Sequence, residues 1–338
     1  QRQMCIRDSY RSSLKHNKWV LKLGLAIYDL LAYDRARAWD AGKRIPRHRN
    51  LSAVAALASQ PVLKKEGLTG AAVFHDCLSI FPERLALAFV QSAASHGAAV
   101  ANYAAVGGFC CDDADGRVTG VRVNDLLDGS RYEAAARVIL NCTGPWSDHL
   151  LQRGRPGGGR LRLRRSEGIH LITRPILNPA SAVSAITPRG RHCFLIPWRG
   201  CTLIGTTDTP YEGHPDDYAV TVREIGALIE EVNASFDGLK LTLEDVRHAY
   251  GGLRPLVGDT AGKETYRSSR RFEIRDGAAD GLSGLITVEG GKWTTSRALA
   301  EKVVDRLWDI TPLAIGRSIS ARKYLLHSEI REMAAFFT

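Results

Sequence analysis

The stretch Leu285-Ile-Thr-Val-Glu-Gly-Gly-Lys-Trp-Thr-Thr295 decides the fold, because it passes from a strand pattern through two glycines into a helix. Its first four residues are apolar or β-branched, and helix-favouring residues follow from about position 294 to 307. Consecutive glycines let a backbone approach a ligand closely, while Lys292, Thr294 and Thr295 place donors at the start of the helix. The GxxxxGK[ST] spacing of a P-loop is absent. The stretch predicts a site for an anion or an electron-rich ring, with an ordinary capped helix start as the alternative.

A similar pattern lies earlier, where the apolar run 138–140 leads into Asn141-Cys-Thr-Gly-Pro-Trp-Ser-Asp148. A turn of small residues after a buried strand brings backbone N–H groups close to a phosphate or a ring system. The same pattern is common in α/β proteins, so a purely structural turn is the alternative. The order of helix, strand and hairpin over residues 82–140 predicts a mixed α/β domain.

Hydrophobic periodicity and turn residues divide the rest of the chain. The predicted helices cover residues 19–40, 51–58, 82–96, 222–236 and 294–307. The predicted strands cover residues 67–76, 98–106, 117–124, 131–140, 169–173, 193–197, 202–206, 244–250, 272–274 and 285–288. Thr221 and Glu224 form a capping-box pattern at the start of the fourth helix. The glycine-rich, basic stretch 153–165 separates the first half from strands that predict an antiparallel sheet.

The composition is that of an ordinary globular protein, with 338 residues, 44% hydrophobic and 24% charged. The longest apolar run, 19–33, is interrupted by Lys22 and Asp29, so no transmembrane helix is predicted. The net charge is +10, and the basic residues cluster at 43–49 and 153–165 without interleaved aromatic residues. This distribution favours a solvated face or a contact with anionic lipid over nucleic-acid binding.

The seven cysteines form no CxxC pair and no Cys/His spacing of the zinc kind, so no metal site is predicted. Their odd number in a chain of this size indicates a reducing, intracellular compartment. Residues 1–13 show neither the order of a signal peptide nor a helical or strand period. We expect residues 1–13 to be foreign to the rest, with the authentic protein beginning near Leu14.

Two side chains in the second half are candidates for binding and proton transfer. Arg254 lies between two glycines and a proline that fixes the backbone, which suits bidentate binding of a carboxylate or phosphate, or pairing with an internal acid. His170, at the start of an apolar strand, has an imidazole suited to proton abstraction near neutral pH, with a core histidine as the alternative. The segment Gly205-Thr-Thr-Asp208 offers polar groups to a pocket or closes its hairpin as an Asx or ST turn.

Taken in order, these segments resemble the FAD-dependent glycerol-3-phosphate dehydrogenases of the amino-acid-oxidase-like flavoprotein superfamily. The resemblance runs from about residue 15 to about residue 308. It rests on Asn141-Cys-Thr-Gly-Pro-Trp146, Gly168-Ile-His170, Ile196-Pro-Trp198 with Leu203-Ile-Gly-Thr-Thr-Asp208, Gly252-Leu-Arg-Pro-Leu256, Ser269-Arg270 and Gly290-Gly-Lys-Trp-Thr-Thr295. Each motif alone is weak, but together in this order they are specific.

The resemblance implies oxidation of sn-glycerol 3-phosphate to dihydroxyacetone phosphate with FAD as cofactor. It also implies electron transfer to a quinone, a place at the inner face of the cytoplasmic membrane, and a homodimer as a candidate assembly. The implied catalytic residues are His170 and Arg254, and the implied substrate-binding residues are Arg254, Arg270 and Lys292. The implied FAD contacts are Thr143, Gly144, Pro145, Trp146, Gly290, Gly291, Lys292, Thr294 and Thr295.

The implied fold class is α/β, with an incomplete FAD-binding Rossmann-like domain and an antiparallel-sheet substrate domain. Residues 14–70 are assigned to a helical segment linked to the FAD domain, 71–150 to part of that domain, 151–280 to the substrate domain and 281–310 to a return to the FAD domain. Residues 311–338 are an unassigned tail.

The chain departs from the family pattern in several places. No GxGxxG follows a first strand, and the resemblance places that loop before Leu14. Glu167 stands where lysine is frequent, Arg271 where aspartate is usual and Ser296 where tyrosine is common, so Arg270 and Arg271 compete for one position. Two alternatives stay open: an FAD-dependent amine or amino-acid oxidase, which would not need the three cationic residues together, and a non-catalytic remnant.

Overall fold

The computed structural model describes residues 2–10, 18–35, 37, 44–154, 163–257, 271–311, 316 and 318–328. The helices among them are α1 (Lys18–Leu31), α2 (Ala53–Ser59), α3 (Pro82–Ser95), α4 (Ser147–Arg153), α5 (Val222–Ser235) and α6 (Ser296–Ile310). The strands among them are β1 (Arg2–Tyr10), β2 (Arg49–Leu51), β3 (Leu68–Cys77), β4 (Ala104–Cys111), β5 (Val118–Asp125), β6 (Arg131–Ala135), β7 (Ile139–Asn141), β8 (Arg164–Thr173), β9 (Ala182–Ile186), β10 (His192–Trp198), β11 (Cys201–Gly205), β12 (Thr209–Tyr211), β13 (Val246–Leu256), β14 (Phe272–Asp276) and β15 (Leu285–Gly290). In this part of the chain, none of the helices has the combined length and apolar character that crossing a bilayer requires.

Nine of the described strands form one sheet in the order β12-β8-β11-β10-β9-β1-β3-β2, with β13 paired to the other edge of β8. Its pairs are antiparallel except β1 with β9. β8 alternates between two faces, so Ile169 and Leu171 are fully buried on one face. His170 lies between them in sequence and points to the opposite face, which makes that face available for a site.

The main core fills the buried face of this sheet. Leu228, Ile229 and Val232 of α5 pack there with residues from β8, β9, β10 and β11. α5 begins with a complete capping box, in which Thr221 and Glu224 bind each other's backbone N–H groups. This local signal fixes where the helix starts, and the apolar side of the helix then covers the sheet.

Two smaller sheets lie beside the large one. β4, β5 and β6 form an antiparallel meander, and the second sheet has the order β14-β15-β7. β15 and β7 run parallel, with Thr287 opposite Asn141. The two strand-turn-helix units predicted from the sequence are therefore neighbours, and their turns leave the same edge of one sheet.

Mixed α/β structure with antiparallel sheets is confirmed, and most predicted elements are present within a few residues. The first helix is shorter than predicted, because α1 ends at Leu31 and turns follow to Arg35. Asp29 accepts hydrogen bonds from Arg35 and from the backbone and ring of His48, which fold the chain back onto α1. Residues 36 and 38–43 lie outside the described part.

Several strand predictions need correction. The strand predicted over 98–106 begins only at Ala104, after a backbone turn with positive φ at Gly97 and Tyr103. The run 131–140 divides into two strands, because β6 pairs with β5 whereas β7 pairs with β15 in another sheet. The strand before the Thr143 turn is an edge strand with Leu140 exposed, not a buried one. His170 lies near the end of β8 rather than at its start.

The first residues also differ from expectation. Residues 2–10 form β1 between β3 and β9, although their sequence shows no strand period. A ladder is made by backbone groups, so remote partners can impose a strand without alternating side chains. β3, within the segment assigned to the FAD domain, lies in the large sheet. The foreign origin of residues 1–13 and the domain division stay predictions.

Candidate functional site

His170 is held between two neighbouring strands of the large sheet. Its ring stacks on that of Tyr250, its register partner on β13, with centroids 5.2 Å apart and planes 12° from parallel. On the β11 side its partner is Gly205, where a Cβ would overlap the imidazole. A glycine is needed here because the imidazole takes the space that any side chain would fill.

Burial, reinforced by the positive charge of Arg254, lowers the pKa of His170 to about 4. Both effects disfavour the protonated ring. His170 is therefore neutral at physiological pH, with an unprotonated nitrogen that can accept a proton. A neutral imidazole is the protonation state that a general base requires.

Arg254 extends across β8 toward the end of β11. Its Nη2 donates to Thr206 Oγ1 at 2.9 Å, and its Nη1 lies 3.3 Å from the carbonyl oxygens of both Thr207 and Glu167. The buried carboxylate of Asp208 lies 3.9 Å away. A Cβ at Gly168 would overlap the guanidinium, so Arg254 can lie across β8 because residue 168 has no side chain. Of the two alternatives posed from the sequence, the structure shows pairing with an internal acid, and binding of a ligand carboxylate or phosphate stays a prediction.

The segment after β11 supplies the polar groups around this guanidinium. Thr207 Oγ1 accepts from the backbone N–H of Ile169 at 2.9 Å, which ties the segment to β8. Thr206 and Asp208 face Arg254, as described above. The β10–β11 hairpin is closed by Arg199 and Gly200, so this segment does not act as the turn that closes it, and its polar groups surround the guanidinium instead.

The departure at Glu167 does not place a carboxylate beside Arg254. Along β8 the side chain of Glu167 points to the face opposite Gly168 and His170. Its Oε1 accepts a hydrogen bond from Thr209 Oγ1 at 2.9 Å. Burial raises the pKa of this carboxyl, and the charge of Glu224 raises it further, against the lowering effect of the Thr209 bond. Only the backbone carbonyl of Glu167 contacts the guanidinium.

Two turns follow the C-terminal ends of the parallel strands β7 and β15, and we name them by their sequences. The TGPW turn is Thr143–Trp146 and the diglycine turn is Gly290–Thr295. Gly144 has φ +57°, with nothing within 4 Å of the position that a Cβ would take. Gly290 and Gly291 have φ values of +72° and +88°. Side chains disfavour these conformations. A Cβ at Gly144 would meet open space, whereas a Cβ at Gly290 would overlap the carbonyl oxygen of Arg271 and one at Gly291 would lie 3.1 Å from Leu299, so the diglycine turn packs closely on its neighbours.

The TGPW turn is fixed from three sides. Asn141 Oδ1 accepts from Thr143 Oγ1 at 2.6 Å, and Arg165 Nε donates to the carbonyl of Pro145 at 2.8 Å. Trp146 Nε1 donates to Asp216 at 2.7 Å. Arg165 also forms a buried ion pair with Asp148. The backbone of this turn is therefore rigid before any ligand binds.

The diglycine turn leads into α6 and is more open. Lys292, Trp293, Thr294 and Thr295 are exposed, and Thr295 Oγ1 donates to the carbonyl of Lys292 at 3.1 Å. Phe89 of α3 meets Trp293 edge to face at 6.3 Å. The cation and hydroxyl donors predicted here are accessible to a ligand.

The strand that carries Arg254 joins the two halves of the site. β13 contacts both β15 and the TGPW turn. A Cβ at Gly290 would lie within 2.8 Å of Val257, three residues after Arg254. His170 and Arg254 lie on adjacent strands of the large sheet. The strand that carries Arg254 also contacts β15 and the TGPW turn. Arg270 falls outside the described residues, whereas Arg271 accepts a hydrogen bond from Gly291 N through its carbonyl.

Several residues of this site were not identified from the sequence. Tyr250 shares the Arg254 face of β13, since the two lie four residues apart on one strand, and that alternation is a usable signal. Arg165, Ser147 and Glu289 are buried polar residues that act through contacts with distant segments. Nothing local in the sequence distinguishes them from surface residues.

Comparisons with known proteins identify the family of the chain. The profile of the family described as "FAD dependent oxidoreductase" (DAO) matches residues 20–306. A glycerol-3-phosphate dehydrogenase of Synechocystis sp. is 34% identical over 301 residues, covering 86% of this chain and 52% of that protein. An aerobic glycerol-3-phosphate dehydrogenase of Bacillus subtilis is 34% identical over 288 residues, covering 85% of this chain and 49% of that protein. The chain spans about half the length of these relatives.

Solved structures give the same fold. The glycerol-3-phosphate dehydrogenase from Bacillus halodurans complexed with FAD matches with a TM-score of 0.70 at 27% identity, covering 95% of this chain and 54% of that one. A glycine oxidase from Geobacillus kaustophilus shares the fold at 20% identity, with a TM-score of 0.53 and coverage of 94% of this chain and 75% of that one. The chain belongs to the FAD dependent oxidoreductase (DAO) family.

Proposed function

We propose that this chain carries the substrate sheet and part of the FAD site of a glycerol-3-phosphate dehydrogenase, which oxidises sn-glycerol 3-phosphate to dihydroxyacetone phosphate. The observation that carries the proposal is the pairing of a neutral, buried imidazole with a fixed guanidinium on adjacent strands, His170 on β8 and Arg254 on β13. The names of the relatives support the same substrate.

The proposed roles follow from the properties of each group. His170 accepts the proton of the C2 hydroxyl, because its ring is neutral and held in one orientation. Arg254 binds the phosphate dianion, with Lys292 and Arg270 as further cations of the same site. FAD, when bound, supplies the two-electron acceptor for the hydrogen on C2. Preorganised donors are effective because they need no rearrangement at the moment of reaction.

The two turns are suited to hold the flavin. The backbone at Gly144 is open to close approach, and the consecutive positive φ angles at Gly290 and Gly291 turn the chain sharply from β15 toward α6. A planar ring needs such close approach, and the donors of Lys292, Thr294 and Thr295 lie beside it. The residues of Thr143–Trp146 and Gly290–Thr295 are therefore the proposed FAD contacts.

We also propose a quinone as the electron acceptor and a peripheral contact with the inner face of the cytoplasmic membrane. α1 supports the membrane contact. Its partly buried residues Leu21, Leu25 and Asp29 face the protein, while the opposite side carries an apolar stripe whose members are mostly exposed. We call this the α1 stripe, and its members are Trp19, Leu23, Ile27, Leu30 and Leu31.

The charges near the α1 stripe suit an anionic lipid surface. Lys18 and Lys22 are exposed on the same helix, and Lys22 lies over the ring of Trp19 at 5.5 Å. Apolar side chains flanked by lysine and tryptophan are typical of helices that lie in the headgroup region. A homodimer stays a prediction that no contact in the described residues tests.

The test is anaerobic spectroscopy of the purified chain reconstituted with FAD. A flavin absorbance band that bleaches on addition of glycerol 3-phosphate, and not of glycine, is the expected result. Bleaching by glycine instead would favour an amino-acid oxidase. A chain that retains no flavin at micromolar protein would support the non-catalytic alternative and count against the proposal.

A further inference from the structure

The last ladder pair between β7 and β15 is Asn141 with Thr287, and beyond it the two strands separate into their turns. One side-chain contact continues the connection past this point. Ser147 Oγ donates to Glu289 Oε1 at 2.9 Å. Ser147 follows the TGPW turn directly, and Glu289 precedes the diglycine turn directly, so this bond joins the far end of one turn to the near end of the other.

Both partners are inside the protein. Ser147 is fully buried and Glu289 is 5% exposed. Glu289 Oε2 lies 3.8 Å from Arg275 Nη1, and that arginine is also bound to Asp280. Removing a carboxylate from water costs free energy, which its hydrogen bonds offset while they hold the group in a defined geometry. Loss of one of these partners leaves the carboxylate with an unsatisfied charge.

The Ser147 side of the contact is connected to the TGPW turn itself. Asn141 Nδ2 donates to the carbonyl of Ser147 at 3.0 Å, while Asn141 Oδ1 accepts from Thr143 N at 3.3 Å and from Thr143 Oγ1 at 2.6 Å. Asn141 is 1% exposed. The chain of contacts therefore runs from Thr143 through Asn141 and Ser147 to Glu289 and the first residue of the diglycine turn.

We propose that Glu289 is a positioning residue that sets the separation of the TGPW and diglycine turns, and thereby the width of the flavin site between them. The proposal rests on the proposed function for the identity of the ligand. Glu289 touches neither substrate nor flavin in this account and acts through Ser147. Its carboxylate does this because two oxygens can bind Ser147 and lie beside Arg275 at once, which a shorter or apolar residue does not reproduce.

The first measurement is backbone hydrogen exchange on the flavin-free full chain, over peptides that cover 142–147 and 288–295. Glu289→Ala and Ser147→Ala are each expected to speed exchange in both turns by roughly ten-fold, because a buried charge-assisted bond is lost. Glu289→Gln keeps an acceptor for Ser147 and should restore most of the protection. Glu273→Ala is the matched control, since Glu273 is the exposed register partner of Glu289 on β14.

The second measurement is FAD affinity of the same variants by flavin fluorescence. Glu289→Ala and Ser147→Ala should weaken FAD binding by about ten-fold or more, and the double variant should add little to either, as expected for two residues of one contact. If Glu289→Ala does not fold, Ser147→Ala and Glu289→Gln decide the matter. Thermal midpoints within a few degrees of the parent chain, together with these losses, separate positioning from general destabilisation.

Three results would overturn the proposal: exchange that rises in only one turn, exchange that rises equally in Glu273→Ala, or FAD affinity that stays unchanged despite loosened turns. A parent chain that binds no FAD contradicts the proposed function instead. In that case the exchange comparison still decides whether Glu289 joins the two turns.

Discussion

The imidazole of His170 lies flat against the phenol ring of Tyr250, at a centroid distance of 5.2 Å. The two residues face each other in the β8–β13 ladder. Gly205 closes the other side of the ring. This arrangement fixes the orientation of His170 before a substrate binds, which is what a base needs if its nitrogen is to meet one hydroxyl.

We expect the activity to persist into mildly acidic solution. Since burial and Arg254 lower the pKa of His170 to about 4, the ring stays neutral well below its ordinary value. At saturating glycerol 3-phosphate, the acid limb of kcat should have an apparent pKa near 4; kcat is followed rather than kcat/KM because the phosphate of the free substrate itself ionises at about pH 6. An acid limb between about 6 and 7 would show that His170 titrates normally, contrary to this structure.

The same shift predicts a pH dependence of stability. Between its folded pKa of about 4 and its unfolded value of 6.5, His170 binds more protons in the unfolded chain than in the folded chain. The free energy of unfolding should therefore fall as the pH is lowered through that window, by up to about 1.4 kcal/mol per pH unit from this group. Urea unfolding at several pH values gives the free energy of unfolding of the parent chain and of His170→Asn. In this window the free energy should depend on pH more steeply in the parent chain, and an identical pH dependence would contradict the pKa shift.

Gly205→Ala should impair catalysis more than folding. The new methyl group overlaps the imidazole, so the ring must leave its stack on Tyr250. We expect kcat to drop by roughly ten-fold or more, since a displaced base loses its alignment with the substrate. Gly252→Ala is the control, because a Cβ at Gly252 meets nothing within 4 Å. Equal kinetics for both variants would show that the close packing does not matter.

Arg254→Ala should lower discrimination in favour of the phosphorylated substrate. Loss of a charged hydrogen-bonding group raises KM for glycerol 3-phosphate by about ten-fold or more, while turnover of glycerol, which has no phosphate, changes little. Arg247→Ala, at an exposed position of the same strand, serves as control. Parallel losses on both substrates would assign Arg254 to holding the Thr206–Asp208 segment rather than to the phosphate.

The α1 stripe predicts binding to lipid vesicles. The variant with both Leu23→Glu and Leu30→Glu should bind vesicles that contain phosphatidylglycerol more than ten-fold more weakly, because two apolar side chains no longer enter the headgroup region. Cosedimentation measures this directly. Val54→Glu is the control, since Val54 is 80% exposed on α2 and lies outside the stripe. Unchanged binding of the double variant would remove α1 from the membrane contact.

The sequence predicted those parts of the fold that depend on neighbours in the chain. The α5 start was identified because Thr221 and Glu224 lie three residues apart. The β10–β11 hairpin is equally local, since only Arg199 and Gly200 separate its strands. β1 was missed because its partners, β3 and β9, are remote in sequence. The pairing of β3 with β1 was missed for the same reason.

The residues of the candidate site likewise fall into those that the sequence predicted and those that it did not. His170 and Arg254 were found through motif order, and the structure places them on adjacent strands. Arg165 and Glu289 were missed, since their importance comes from contacts made across the fold and not from their local sequence, and Tyr250 was missed although it lies on the Arg254 face of β13. Arg270 stays a prediction, because it lies outside the described residues.

The ion pair between Arg165 and Asp148 has a consequence for protein engineering. Arg165 belongs to the strand that carries His170, and Asp148 belongs to the helix after the TGPW turn. The large sheet is therefore tied to the TGPW turn by a buried ion pair. A chimera that takes residues 163–257 from a relative without an arginine at this position would bury Asp148 without its counter-ion, so transplants have to move both partners or neither.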